Sequence, residues 1–575
     1  MLTMKHTKSK NYSHLVLLLI FLALSFLFVL PLFKWHYIPF GDDMDFHIDR
    51  VLELKYNITH FNFFPELATY TFRRTAYPIN IFYPWVTIIP FAVFQLIIPN
   101  QVWGFYFGLM FYAFVGLVLT YTVTKKVTSK RSAFFTSVGY IFSEYMAIDA
   151  FRRFDLGEFL GMIFLPLVIY GFYAIMFGNK KDWPFLGFGM ALIAMSHILS
   201  TFMVIVLLAA LFIVLVWWVK EKKQTFFKMV KAALLALGAS SVSIIPLIIQ
   251  SLTQRFPSQT CDISSGFNIQ GLGTLLITSL NSDCNNFYYG IGVVDVLIAF
   301  LGLIFFTKLS KISKASYIIG SITFFMASTA FPWELFDKSI FSIIQFPFRL
   351  LAFTSLFYAV VGGEITDKAI SKFSDSEKKM QIVLSVTALL LFIVPQIGQT
   401  QLMLRNTDNF RKQINGRWFK KTYGRFFKNS RPYTQFTSFQ FEMYAPKNES
   451  QGCPYAFNHV VIIDGKNVQL KPAQIISGPN KITYNSDLIN NAKRVTLPVI
   501  YYNYIFKATR NGKKVPIRRS PLGLIQVNSN SYGPITISYR ISKSTILSII
   551  LTLLCWGIGL IIFVRKKWLF VKSYW

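Results

Sequence analysis

The chain has 575 residues, 53% of them hydrophobic and 17% aromatic, with a formal net charge of +32. At a mean hydropathy of +0.46, so much apolar content gathered in long blocks excludes a soluble globular protein of this size and predicts a polytopic membrane protein. More than half of the basic excess falls between 400 and 543, a region predicted to lie outside the cell, so it points to lipid headgroups or an anionic envelope polymer and not to nucleic acid.

Leu15 to Phe33 is an uncharged apolar run behind Lys5, Lys8 and Lys10, with no small-residue cleavage site. It reads as a retained first span with a cytoplasmic amino terminus. Directly after it comes Gly41-Asp42-Asp43-Met44-Asp45-Phe46-His47-Ile48-Asp49-Arg50. In a helix, Asp43, His47 and Arg50 share one face, while Asp42, Asp45 and Asp49 fall on another that is free to face solvent. The first face offers a carboxylate, an imidazole and a guanidinium for chemistry on a polar group presented by a lipid. A solvated, charged amphipathic helix is the other reading.

Ile81 to Pro99 is apolar enough to span, but Pro84, Pro90, Gln95 and Pro99 suit a broken juxtamembrane or re-entrant helix on the outer face. Residues 34–101 therefore form one long first outer loop, in which Arg73 and Arg74 read as snorkelling to lipid phosphates. Further spans are predicted near 102–123, 132–149, 158–177, 184–200, 202–219, 232–251, 288–306, 315–331, 350–366, 381–398 and 545–564, making 12 in all. This count puts the basic loops at 125–131, 180–181, 220–231, 308–314 and 368–379, and the tail 565–567, on the cytoplasmic side.

A second charged group, Asp149-Ala150-Phe151-Arg152-Arg153-Phe154-Asp155-Leu156-Gly157-Glu158, lies in the next outer loop. Arg152 and Arg153 are forked donors suited to a phosphate, and Asp155 or Glu158 supplies a second carboxylate; the competing reading is an internal Arg–Asp pair that closes the loop. His197 ends a span on the same side, and Arg349 in Gln345-Phe346-Pro347-Phe348-Arg349 precedes another. Residues 400–543 carry 23 Lys plus Arg against 5 Asp plus Glu. Their apolar runs shorten to strand length at 460–464, 467–470, 481–484, 494–507 and 535–541, with a hairpin signal at Asn511-Gly512-Lys513, so a small β-sandwich is expected before the last span. Cys261 and Cys284 share a predicted outer loop and are candidates for pairing, and Asn448-Glu449-Ser450 has the form of a glycosylation triplet.

These groups fit transfer of a sugar from a lipid phosphate. The leaving group is already an anion, so the reaction needs cations around the phosphate and one carboxylate to take the acceptor's proton. Asp43 is read as that base, ionised at an ordinary carboxylate pKa, with Asp42 as the alternative. Arg152, Arg153 and Arg349 are assigned to the departing phosphate, and His47, Arg50 and His197 to donor binding or orientation. No metal ligand set is identified by spacing.

An acidic residue just after the first span, a long first outer loop and a second acidic position in the next loop resemble the GT-C class of membrane glycosyltransferases. Asp43-x-x-Phe46-His47-x-x-Arg50, Tyr77-Pro78 with Phe82-Tyr83-Pro84, Gly157-Glu158 with Leu165-Pro166-Leu167, Ser196-His197 and Phe346-Pro347-Phe348-Arg349 are similar to the bacterial membrane family labelled "6-pyruvoyl-tetrahydropterin synthase-related" and to YfhO-like membrane proteins. Leu497-Pro498-Val499-Ile500-Tyr501-Tyr502 followed by Asn511-Gly512-Lys513 is similar to the YfhO-like carboxy-terminal domain. The resemblance implies a GT-C-like transmembrane domain at 1–399, an extracytoplasmic β-rich domain at 400–543 and a last helix with a basic tail at 544–575. It also implies a polyprenyl-phosphate-linked sugar as donor, and for Glu158 a metal or acceptor role. The implied product is a glycosylated envelope polymer or lipid, made at the plasma membrane of a bacterium whose Lys-, Ile- and Asn-rich usage suggests a Gram-positive source. A transporter or flippase for such lipids, or a non-catalytic assembly factor, is the alternative; a transporter is expected to place its charges midway along its spans.

Overall fold

The structure is a computed structural model and describes residues 2–34, 38, 41–257, 263–264, 269–282, 288–413, 444–447, 449–528 and 531–572. Cys261, Cys284 and Asn448 lie outside the described residues. The described chain is mostly helical, with a β-rich region inserted before the last helix.

Among the described residues, seven helices are long and apolar enough to cross a membrane: His14–Phe33, Gln101–Thr124, Leu156–Met176, Ile198–Trp218, Pro347–Ile370, Lys378–Arg405 and Lys543–Ile561. Leu156–Met176 and Pro347–Ile370 are almost wholly buried. A helix apolar on every side belongs in the middle of a bundle, and these two form its core. Pro166 removes an N–H inside the first of them and orphans the carbonyl of Met162. The Tyr140 hydroxyl donates to that oxygen at 2.9 Å, so the break in the ladder is repaired by a neighbour.

Several predicted spans are not single straight helices. The 132–149 segment divides into Lys130–Ile141, Glu144–Ala147 and a π-helical turn at Ile148–Arg153, and the 184–200, 288–306 and 315–331 segments contain the shorter helices Pro184–Ala194, Gly292–Ile304 and Lys311–Met326. The 232–251 segment breaks at Ser240, where Lys222–Ala239 and Ser241–Thr253 meet at 81°. Ser240 and Ser241 donate back to the carbonyls of Ala236, Leu237 and Gly238, a competition with the helix ladder that bends helices. The freed N–H of Val242 is taken by Thr552 Oγ1 of the last helix at 3.0 Å.

The basic loops predicted to share one face are joined to one another. Lys126 pairs with Asp182 at 3.0 Å, Lys180 with Glu221 at 2.7 Å and Arg131 with Asp367 at 3.6 Å. Glu364 accepts from Ser310 and pairs with Lys368, which also reaches the Lys308 carbonyl. The 81–99 segment is broken as its prolines require, into Ile79–Phe82, Val86–Ile88 and Ile89–Ile97.

Among the described residues, the carboxy-terminal region has ten strands in two antiparallel five-stranded sheets. One runs β2 (Lys466–Gln469), β1 (Val460–Ile463), β5 (Arg494–Ile500), β9 (Leu524–Asn528), β8 (Ile517–Arg519), and the other β3 (Ile475–Gly478), β4 (Lys481–Tyr484), β10 (Ile535–Tyr539), β6 (Phe506–Arg510), β7 (Lys513–Val515). The predicted 494–507 strand is therefore two strands in different sheets, and 475–478, 513–515, 517–519 and 524–528 are additions. Asn511 and Gly512 have φ of 47° and 76° between β6 and β7, the left-handed pair a two-residue hairpin turn demands. Asp464 and Gly465 form the same turn between β1 and β2.

Both sheets share one apolar cluster with Phe46, Leu67, Tyr77 and Phe82 of the first loop. Arg73 and Arg74 hold that junction and do not snorkel. Arg73 Nε donates to Phe457 O at 2.8 Å with its guanidinium 4.1 Å from the Phe457 ring centre, and Arg74 Nη1 donates to Ile475 O at 3.0 Å. Their forks are consumed by backbone carbonyls of the β-rich region.

Candidate active site

Asp43 ends the 41–43 turn and starts the helix Met44–Thr59. Its backbone N–H donates to the Arg153 carbonyl at 3.0 Å. Gly41 lies so close to the same strand of chain that a Cβ there would come within 2.6 Å of the carbonyl oxygens of Arg152 and Arg153. Glycine is what allows the two acidic loops to touch. The two groups recognised separately in the sequence are thereby one cluster.

Two rigid elements frame it. Asp155 caps Leu156–Met176 by accepting from Glu158 N–H at 3.0 Å, a favourable place for a carboxylate at a helix start. Arg349 sits in the turn Pro347–Leu350 that leads into the other core helix. The π-helical turn Ile148–Arg153 and the left-handed Phe154 (φ 52°, ψ 35°) turn the chain between them. π-turns concentrate at functional sites because they re-aim side chains within a helix.

Arg153 is the hub. It is 2% exposed and reaches Asp149 at 2.5 Å, Glu158 at 2.7 Å, Asp155 at 3.2 Å and Asp42 at 3.8 Å, with its guanidinium 5.0 Å from the Phe348 ring centre. Arg349 reaches Glu158 at 3.2 Å, Ile344 O at 3.0 Å and Gln345 Oε1 at 2.8 Å. Glu158 also accepts from the Tyr145 hydroxyl at 2.8 Å. The internal-pair reading therefore describes Arg153 and Arg349 better than an open phosphate fork does: both Nη atoms of Arg153 are committed to carboxylates, and Arg349 gives Nε to Glu158 and Nη1 to the Ile344 carbonyl and the Gln345 amide oxygen. Arg152, 3.4 Å from Asp42, is the arginine of this group with the most exposed side chain.

The Met44–Thr59 helix is buried from Met44 to Leu54, Asp45 and Asp49 included, so neither a solvent-facing acidic side nor a solvated amphipathic helix is present. Asp49 accepts from Phe72 N–H at 3.2 Å, and Glu53 accepts from the N–H groups of Thr69, Tyr70 and Thr71 at 2.7–3.0 Å. These carboxylates fold the first loop back over the helix. Asp42 is exposed but engaged, accepting from the Tyr289 hydroxyl at 2.7 Å.

His47 lies between Arg50 and Asp155. Arg50 Nη1 is 3.2 Å from His47 Nδ1, and since a guanidinium only donates, Nδ1 is the acceptor and the ring proton sits on Nε2, 3.4 Å from Asp155 Oδ1. Burial lowers the imidazole to about 4, so it is neutral at physiological pH. Burial works against the charge of Asp155, but His197, His47 and Arg153 hold its carboxyl well below the ordinary range. Arg50 is clamped over the Tyr83 ring at 4.1 Å and donates to Pro84 O. His197 stacks on the same ring, with the centres of Tyr83 and His197 5.7 Å apart, and bonds Ser200 at 2.8 Å.

The Asp43 carboxyl differs from every other acid here. Half-buried, it makes no capping hydrogen bond, and among the described residues its side chain has no hydrogen-bond or ion-pair partner. Burial pushes its pKa from 3.8 up to about 7, Asp155 and Asp42 add to the rise, and Arg153 and Arg349 oppose it. The expectation of an ordinary carboxylate is corrected by this: desolvation outweighs the nearby arginines. A carboxyl poised near neutral pH changes charge where a general base is most effective.

Sequence reasoning missed four contributors. Tyr83 stood in a quoted motif but without a role, and Asp149 is placed four residues before Arg153, the helical ion-pair spacing. Tyr289 and Tyr444 carried no local signal, since they arrive from distant segments; Tyr444 stacks with Phe46 and Phe82 at 6.5 and 5.7 Å between ring centres. Among the described residues no three His, Cys, Asp or Glu side chains are grouped to hold a metal ion. An apolar cavity of about 470 Å³, lined by Val127, Tyr170, Phe177, Leu215, Lys311 and Val360, lies at the basic-loop end of the bundle and not at this cluster.

No protein-family model matches the chain, and no curated protein matches it. Among solved structures it is similar to ArnT from Cupriavidus metallidurans bound to undecaprenyl phosphate, at 9% identity and a TM-score of 0.41 over 70% of this chain and 79% of that one. It is similar to the Archaeoglobus fulgidus oligosaccharyltransferase in the apo form, at 11% identity and a TM-score of 0.40 over 74% and 61%. The arabinofuranosyltransferase AftD from Mycobacteria shows 12% identity and a TM-score of 0.41 over 67% of this chain and 27% of that one. Likenesses this weak locate neither a site nor a substrate.

Proposed function

We propose that the chain is a membrane glycosyltransferase that moves a sugar from a polyprenyl-phosphate donor to a hydroxyl of a cell-envelope polymer or lipid. The observation that carries this reading is the Asp43 carboxyl: unpartnered, held near neutral pKa, and set beside arginines whose charge is anchored by other acids. Asp43 takes the acceptor hydroxyl's proton as that oxygen bonds to the anomeric carbon, and the bond from that carbon to the lipid phosphate breaks with its electrons leaving on the phosphate. Arg152, the most accessible guanidinium, meets the phosphate. Arg153 and Arg349, fixed by Glu158, supply preorganised positive potential around it. His47, Arg50, Asp155 and His197 orient the loop, and Glu158 is the anchor of the arginine pair. Asp42 is engaged by Tyr289 and Arg152, which favours Asp43 over it as the base.

In this reading the chain makes twelve traversals, the broken segments at 130–153, 184–194, 222–253, 292–304 and 311–326 being counted as crossings together with the seven long helices. The site face is then extracytoplasmic, with both termini inside. The test is envelope composition in a deletion strain: wild type and Asp42→Asn should restore the missing sugar and Asp43→Asn should not, at equal membrane levels. Full restoration by Asp43→Asn overturns the assignment of the base.

A further inference from the structure

The cavity at the basic-loop end of the bundle takes no part in the proposed reaction. Five helices wall it: Gln101–Thr124, Leu156–Met176, Ile198–Trp218, Lys311–Met326 and Pro347–Ile370. It encloses about 470 Å³, where a packed interior leaves few voids larger than a water molecule. Its innermost residues, Pro166, Leu356 and Phe357, are buried and come from the two core helices, while Phe177, Lys311 and Ala315 are exposed at its mouth. The wall is almost wholly apolar. The Tyr170 hydroxyl is taken by Asp182, and among the described residues Lys311 is the one charged group in the lining.

The other cations nearby are already engaged. Lys126 pairs with Asp182 and Lys368 with Glu364, and the Lys314 ammonium lies 5.7 Å from the Phe306 ring centre. Glu364 also accepts from Ser310, the residue before Lys311. Lys311 differs: among the described residues its ammonium has no hydrogen-bond, ion-pair or aromatic-ring partner. An apolar cavity with one unmet cation at its rim matches an amphiphile with an anionic head, and basic pockets between membrane helices take anionic lipid headgroups.

We propose that this cavity binds one anionic phospholipid from the leaflet on the basic-loop side, with an acyl chain in the cavity and the phosphate at Lys311. An apolar cavity of about 150 Å³ stays dry and takes a benzene-sized molecule, so one about three times as large takes about 18 carbons, the size of a single membrane acyl chain. Glu158 and Arg349 belong to the opposite ends of the two core helices that reach the cavity. A lipid held here is therefore separate from the sugar donor, and it braces those helices from the end away from Asp43. The site does not depend on the transfer reaction.

The test uses the full-length chain, delipidated in detergent and then given dioleoyl phosphatidylglycerol or dioleoyl phosphatidylcholine, with and without glycerol 3-phosphate. Bound lipid is counted by native mass spectrometry, and folding is checked by melting temperature. Wild type should hold one phosphatidylglycerol per chain and prefer it to phosphatidylcholine by about fivefold, the gain expected from one lysine facing one phosphate. Glycerol 3-phosphate should not displace it. Lys311→Ser should remove the preference, Lys223→Ser, an exposed lysine of the basic loops, should keep it, and Ala315→Trp, which fills the mouth, should abolish the retained lipid. Should Ala315→Trp fail to fold, the two lysine variants carry the same test. The proposal is overturned if wild type holds phosphatidylcholine equally well, if glycerol 3-phosphate displaces the lipid, if Lys311→Ser keeps the preference, if Lys223→Ser loses it, or if a folded Ala315→Trp still holds the lipid.

Discussion

Replacing Asp43 by Asn should make the protein more stable while it removes activity. The folded chain holds this carboxyl at about 7 in place of 3.8, mainly through burial and then through Asp155. Below about pH 4 the group is protonated whether the chain is folded or not, and contributes nothing to pH dependence. As pH rises towards 7 the unfolded chain ionises it and the folded chain resists, so wild type loses stability across that window and has lost it in full above about 7. A rise of this size corresponds to about 4 kcal/mol, an upper bound because a half-buried group is partly screened by water. Asn is close in shape, caps a helix as well as Asp does, and cannot ionise. Melting curves of wild type and Asp43→Asn in nanodiscs from pH 4 to 8.5 should coincide at the acid end and separate by several degrees at the alkaline end, with Asn the more stable. Sugar transfer by wild type should rise about tenfold per pH unit below 7 and level off above it. Curves that stay superimposed at pH 8, or a separation independent of pH, would refute the account of Asp43 as a carboxyl held against its charge.

Two further perturbations probe how the cluster is held. Gly41→Ala places a Cβ 2.6 Å from two backbone carbonyls that belong to the π-helical turn and cannot swing aside; transfer activity should fall at least tenfold, while the β-rich region, assayed by limited proteolysis, stays folded. Arg153→Met strands Asp149, Asp155 and Glu158 without their shared cation, a loss of about 3–5 kcal/mol for a broken buried pair. Membrane yield and melting temperature should both drop, and adding Glu158→Gln should recover part of the loss.

What the sequence revealed of this cluster was its chemistry, and what it concealed was the pairing. Asp43, His47, Arg50, Arg152, Arg153, Asp155, Glu158, His197 and Arg349 were all conspicuous because charged groups at the ends of apolar runs are costly and seldom idle. Which arginine faces a carboxylate depends on how loops 110 residues apart meet, and hydropathy carries no trace of that. The same reason explains Arg73 and Arg74: their snorkelling role followed from position alone, whereas Phe457 and Ile475, their partners, lie nearly 400 residues away. The strand at 494–507 was misjudged because an apolar run does not register a change of sheet; the turn at Tyr501–Ile505 between β5 and β6 has none of the Asn-Gly chemistry that marked residues 511–513. Span boundaries went astray where serines outcompete the helix ladder, a local effect too small to disturb an average over a window.

The bend at Ser240 bears on how the protein is made. The N–H that Val242 exposes there is satisfied from residue 552, and the carbonyl of Ala239 just before the bend accepts from the Trp556 indole at 3.0 Å. Both partners are synthesised more than 300 residues later. Until the final helix enters the bilayer, a nascent chain must carry this opened turn in hydrocarbon with polar backbone exposed, at several kcal/mol for each unmet group. Closure of the bend is thus deferred until the Lys543–Lys572 helix has been made, and a chain cut short before residue 543 would be recognisable to quality control by an unhealed joint at Ser240.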